Sequence, residues 1–194
     1  MFAGRFLDRL QSPLLKTLQF SSLGSAHQLK SFLVRSKPPL TSLTVTALID
    51  VAELFHSLRY ASALAILRIR EDPVVWGQQV ERLKLGSPIN ENICPALEFI
   101  GFEGCIGGDM KYLEEVLSRW KGPNDATASP KSTKGPECAT DGGWMRNLGR
   151  VYVDDWMHAQ SPDSRFTARP RIRKSVEEGL VVFEDYPYGS DFWL

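Results

Sequence analysis

Apolar positions along the chain fall mostly at three- and four-residue spacing between Ala47 and Trp120, which reads as helix. Leu48, Val51, Ala52, Phe55 and Leu58 recur on one side, and Leu64 and Leu67 continue the stripe after a shift near Arg59-Tyr60. This pattern predicts one long helix, or two joined by a tight turn, ending before Asp72-Pro73. A second helix is expected over Pro73–Leu83, with proline in its first turn, until Gly86-Ser87-Pro88 breaks it. A short helix around Pro95–Ile100 stops at Gly101. The clearest stripe is Met110, Leu113, Val116, Leu117 and Trp120, behind Asp109 as N-cap. Three stretches read as extended: Thr41–Thr46 (a strand or a helix lead-in), Arg150–Val153 and Leu180–Glu184. No repeat of fixed period stands out.

Proline and glycine set the limits of these elements. Pro38-Pro39 marks a boundary, because proline lacks the donor N–H and restricts its predecessor. Residues 121–143 are rich in Gly, Pro, Ser and Lys and nearly devoid of large apolar groups, so they read as a disordered linker. The expected architecture is mainly α: a basic N-terminal arm over 1–40, a helical bundle over 41–121, the linker, and a partly extended C-terminal segment over 144–194.

Composition narrows the function classes. The 194 residues are 43% hydrophobic and 24% charged, ordinary for a soluble globular chain, and the net charge is zero. Any attraction to nucleic acid or membrane must then come from a local patch. The apolar stretch Leu43–Ile69 is interrupted by Asp50, Glu53, His56, Arg59 and Arg68, short of the roughly 18 apolar residues of a membrane span. Three cysteines, Cys94, Cys105 and Cys138, are too few for a disulfide framework and fit a reducing compartment.

The charge is unevenly placed. Arg5, Arg9, Lys16, Lys30, Arg35 and Lys37 face a single acid, Asp8, within residues 1–49. Phe2, Phe6, Leu7, Leu10 and Leu14 share one helical side, so the segment has the character of an import signal with a processing point near Arg35–Pro39. The alternatives are a weakly structured arm or a first helix of the core. Cytoplasm or mitochondrial matrix is the expected location.

Candidate chemistry is sparse. Gly101, Gly104, Gly107 and Gly108 precede a helix start, but no Lys-Ser/Thr follows and Asp109 sits where a phosphate would bind. His27, His56 and His158 lie far apart and no Cys-x-x-Cys exists, so neither a metal nor a cofactor is indicated. Cys105 with His158 would make a nucleophile pair, with buried structural thiols as the alternative. Asp154, Asp155 and His158 form the only tight ionisable group. On a helix Asp154 would face His158 and orient it for acid–base work; a solvated helix start explains the same letters. Arg165, Arg169, Arg171, Arg173 and Lys174 form a basic strip without interleaved aromatics, which argues against nucleic acid. The ending, Phe183 to Leu194, alternates acids with aromatics. Phe192 and Trp193 are its candidate anchors, on this domain or on another protein.

The order of Asp72-Pro73, Trp76, Arg82-Leu-Lys-Leu85, Ala96-Leu-Glu-Phe-Ile-Gly-Phe-Glu103 and Asp109 with Leu113 resembles the PUB domain. That family is a small helical module that binds C-terminal tails of a hexameric AAA unfoldase in ubiquitin-linked turnover. The resemblance covers about 60 residues of the chain. It implies a helical fold over 43–120 and a ligand groove lined around Trp76, Arg82 and Phe102. A single tetratricopeptide-like hairpin over Ala47–Pro73 is the rival, although one such unit cannot stack alone. The expected function is therefore a non-enzymatic adaptor that binds another protein. Alternatives are an imported mitochondrial accessory or assembly factor, and an enzyme using Asp154 and His158.

Overall fold

A computed structural model describes residues 7, 9–21, 27–46, 51–70, 93–103, 114, 117, 148–153 and 166–184. Its centre is a six-stranded sheet, all parallel, with the strands side by side in chain order. The strands are β1 (Thr17–Ser21), β2 (Ser42–Thr46), β3 (Ile66–Arg70), β4 (Phe99–Glu103), β5 (Arg150–Val153) and β6 (Val181–Phe183). Among the described residues, three helices accompany them: α1 (His27–Ser36), α2 (Val51–Leu58) and α3 (Pro170–Glu177), the last preceded by a 3₁₀ turn at Phe166–Ala168. Crossovers of one hand that always step the same way must all pass over the same side of the sheet. The described helices therefore form one layer on one face of the strands.

Register makes the repeat visible. Thr17, Ser42, Ile66, Phe99, Arg150 and Val181 pair in sequence across the sheet. Those positions are 25, 24, 33, 51 and 31 residues apart, so the repeat has a constant strand and a variable return. Two residues before each of the first five stands a leucine: Leu15, Leu40, Leu64, Leu97 and Leu148. The inward strand positions follow as Leu18 and Phe20, Leu43 and Val45, Leu67 and Ile69, Ile100 and Phe102, Val151 and Val153. Each of the first five coils thus carries Leu-x-x-aliphatic-x-apolar.

The backbone repeats with it. The carbonyls of Lys16, Thr41, Ala65 and Glu98 each accept from two consecutive N–H groups of the next coil, at 2.8–3.1 Å. Turns closed by Leu15 onto Ser12, Leu64 onto Ala61 and Leu97 onto Cys94 bring the chain into its strand.

The helices pack by their apolar stripes. On α1, Leu29, Phe32, Leu33 and Ser36 are buried at helical spacing. The helix ends because Lys37 takes φ 42°, its N–H bonding Leu33 at 2.9 Å, ahead of Pro38-Pro39. Leu54, Phe55 and Leu58 of α2 join the same core as Ile172 of α3. α3 starts on Pro170 and closes with a Schellman motif. Gly179 at φ 107° donates to Val176 and Leu180 donates to Ser175, both at 2.9 Å.

This architecture corrects the mainly α expectation. Helix α2 stops at Leu58, and Leu64 and Leu67, expected to extend its stripe, belong to the approach and body of β3. The helix expected at Pro95–Ile100 is a turn leading into β4. Leu64, Leu67 and Ile69 fit two periodicities over so short a run, and pairing with Leu43 and Ile100 on either side selects the strand. Thr41–Thr46 resolves to β2, and the two C-terminal extended runs are β5 and β6.

The flanks belong to the same sheet as residues 41–121. Strand β1 and helix α1 come from the first 40 residues, and β5 and β6 from the last 51. Leu7 is buried in the core, and Arg35 holds its neighbourhood by donating to the carbonyls of Leu7 at 2.6 Å and Leu10 at 3.0 Å. Processing near residue 36 would remove a strand and a helix. The helix expected at 73–83, most of that at 109–120, and the linker 121–143 lie outside the described residues. Among the described residues, no helix is long and apolar enough to cross a membrane.

Candidate functional site on the outward face of the sheet

Side chains alternate along a strand, so every position next to an inward apolar residue faces away from the helices. Those outward positions are Thr17 and Gln19 on β1, then Ser42, Thr44 and Thr46 on β2. They continue with Ile66, Arg68 and Arg70 on β3, Phe99, Gly101 and Glu103 on β4, Arg150 and Tyr152 on β5, and Val181 and Phe183 on β6. Zero-offset pairing lines them up in rows across the sheet. The first two strands offer hydroxyl and amide groups; charge and aromatic rings enter from β3 onward.

The middle of this face is organised around Gly101. A Cβ there would stand 3.1 Å from Cε1 of Phe99 and 3.6 Å from Cβ of Tyr152, so the missing side chain lets the Phe99 ring lie along the strand. Phe99 and Tyr152 are 4% and 1% exposed and lie apart from the helix-side core, which gives this face an apolar centre of its own. The Arg68 guanidinium carbon lies 5.5 Å from the centroid of the Phe99 ring, a cation–π arrangement. Arg70 pairs across the strands with Glu103, Nε to Oε2 at 2.5 Å, with the arginine side chain 35% exposed.

This face combines polar and charged side chains with two buried rings. It holds guanidinium groups, hydroxyls and a neutralised carboxylate, with no nucleophile–base pair among its described residues. On the helix side Lys30 Nζ lies 3.0 Å from His56 Nε2, and His27 Nδ1 lies 3.8 Å from Glu53 Oε1, linking α1 to α2. Among the described residues, no group of three His, Cys, Asp or Glu gathers to hold a metal.

Of the residues singled out in the sequence, Phe102 is described and is 1% exposed, facing the helices in the core. A side chain so placed cannot line a groove. Trp76, Arg82, Phe192 and Trp193 lie outside the described residues, as do Asp154, Asp155, His158, Cys105 and Cys138. Gly101 of the glycine cluster is a strand residue inside β4, and Cys94 is buried with Sγ 3.7 Å from the Leu58 carbonyl. Arg169, Arg171, Arg173 and Lys174 of the basic strip are on or beside α3. There Arg169 pairs with Glu114 at 2.8 Å and Lys174 with Glu178 at 3.9 Å.

Arg68, Arg70 and Tyr152 were not singled out as site residues by sequence reasoning, and Gly101 and Phe99 were read there as parts of a glycine cluster and of a helix. The signal that finds them is the Leu-x-x-aliphatic-x-apolar frame, since the residues between its fixed positions are the outward ones. Searches of protein-family models, curated proteins and solved structures returned no match to this chain.

Proposed function

We propose that this chain is a non-catalytic binding scaffold of the solenoid kind, which presents the outward face of its sheet to another protein. The supporting observation is the strand order. Six parallel strands stack in sequence with the helices on one side and with β1 and β6 as separate edges. A Leu-x-x-Leu-x-Leu strand with a return of variable length is how leucine-rich solenoid repeats are built. Such coils bury one continuous core between neighbours and leave an extended strand surface for recognition. Thr17, Gln19 and Arg150, which are exposed on that face, suit that use. This reading keeps the adaptor expectation and replaces the helical groove with a sheet face. No finding bears on the PUB resemblance itself, and the helical bundle it implied is superseded.

Site-specific photocrosslinking tests the reading. A photoreactive residue is placed at Gln19 or Arg150 on the strand face, and at Val34 or Val176, both exposed on the helices. Discrete adducts from the strand-face positions, absent from the helix positions, are expected. Adducts from the helix layer alone would overturn the proposal.

A further inference from the structure

We infer that the two edges of the sheet are complementary, so that β6 of one copy receives β1 of a second copy and the parallel sheet continues from chain to chain. This goes beyond the binding-face reading, since it uses the rims of the sheet and not the surface between them. Neither edge strand is blunted. β1 reads Thr-Leu-Gln-Phe-Ser and β6 reads Val-Val-Phe, without the charge, proline or bulge that ordinarily guards an exposed strand. The core also thins at these two strands. Inward side chains of β2 to β5 are 0–3% exposed, whereas Leu18 and Phe20 of β1 and Val182 of β6 are only half-buried. Leu14, just ahead of β1, is 84% exposed, and Val181 of β6 is 43% exposed. Repeat coils with a stable outer rim carry a polar face there.

Backbone geometry fits one edge to the other. Ser42 donates to the Lys16 carbonyl at 3.0 Å and Val181 to the Gly149 carbonyl at 3.1 Å. Alternation then turns the N–H and C=O groups of Thr17 and Gln19 on β1, and of Val182 on β6, away from the sheet. In the register of the other five pairings, Thr17 of an incoming copy stands beside Val181 and its Leu18 beside Val182. The inward row Leu18, Leu43, Leu67, Ile100, Val151, Val182 is thereby continued across the joint. Charge selects this pairing over the alternatives. Residues 1–49 carry six bases and one acid, and residues 177–194 carry five acids (Glu177, Glu178, Glu184, Asp185 and Asp191) and no base. Lys16 is exposed before β1, and Glu177 is exposed at the end of α3 before β6. Joining β1 to β1 sets base against base, and β6 to β6 sets acid against acid; only β6 to β1 sets opposite charges together. Such a head-to-tail contact leaves one edge open at each end, so growth does not stop at two copies.

Sedimentation velocity of the full chain across a range of concentrations, at low and high salt, tests this. Gln19→Pro and Val182→Pro each remove an outward N–H from one edge, at positions an edge strand tolerates. Far-UV circular dichroism checks that each variant keeps its fold. The unmodified chain is expected to grow past the dimer with concentration, less so at high salt. Either proline variant alone should stay monomeric, with association weakened about ten-fold or more, and an equimolar mixture should stop at a one-to-one pair. Should Val182→Pro unfold, Glu177→Lys and Lys16→Glu replace the proline pair: each alone is weakened, and mixing them restores association. A chain that stays monomeric at every concentration would overturn the inference. So would association that survives Gln19→Pro, a Val182→Pro variant that dimerises by itself, or a mixture that forms no pair. Strand-face crosslinks to another protein depend on none of these outcomes, so a monomeric chain removes self-association and leaves the scaffold reading in place.

Discussion

Leu67→Ala tests the alternation on which the two faces depend. Leu67 is 0% exposed and sits third in the inward row, paired with Leu43 on β2 and Ile100 on β4, both fully buried. With close-packed neighbours on either side the site cannot collapse, so truncation should cost about 2–5 kcal/mol, toward the upper end. Against a typical domain stability of about 5–15 kcal/mol that is a large fraction. Arg68 is the next residue but faces the opposite way, where stacking on the buried Phe99 ring contributes about 2 kcal/mol, less than the expected loss at Leu67. Urea unfolding of the two variants gives the comparison, and hydrogen exchange locates the damage. Nearest-neighbour coupling predicts that protection falls most in β2, β3 and β4 and least at β6. If Leu67→Ala costs less than about 1 kcal/mol, or less than Arg68→Ala, residue 67 does not face the core and the face assignment fails.

Three further expectations follow from the backbone and from the N-terminal edge. Gly179→Ala should destabilise by about 1–2 kcal/mol, since its φ of 107° disfavours an L side chain while no atom lies within 4 Å of the added methyl. A thermal melt with no loss would deny the Schellman closure of α3. Lys37→Gly should raise stability by about 0.5–1 kcal/mol, because Lys37 holds φ 42° at the end of α1; a lower melting temperature would contradict this. Arg35→Ala should cost about 1–3 kcal/mol by removing its bonds to the Leu7 and Leu10 carbonyls. The accompanying signature is faster hydrogen exchange in residues 9–15, with β6 unaffected.

Some of this protein could be read directly from its letters. The proline pair that ends the first helix, the β-branched run that becomes β2 and the two extended C-terminal runs are local signals, and they act locally. Other assignments were ambiguous by nature. Leu64, Leu67 and Ile69 satisfy helical spacing with the residues before them and strand alternation among themselves, and a five-residue run cannot settle the choice. The repeat was also present, as five leucines placed alike before five strands, but returns of 24 to 51 residues hide it from any search for a constant period.

What the letters alone determined, then, is which residues must leave water. What only the tertiary structure decided is which of them share a side. A parallel strand has no hydrogen-bond partner until the neighbouring coil arrives, so its register, and with it the assembly of Arg68, Phe99, Gly101 and Tyr152 on one surface, forms between distant segments and is written in no single one of them.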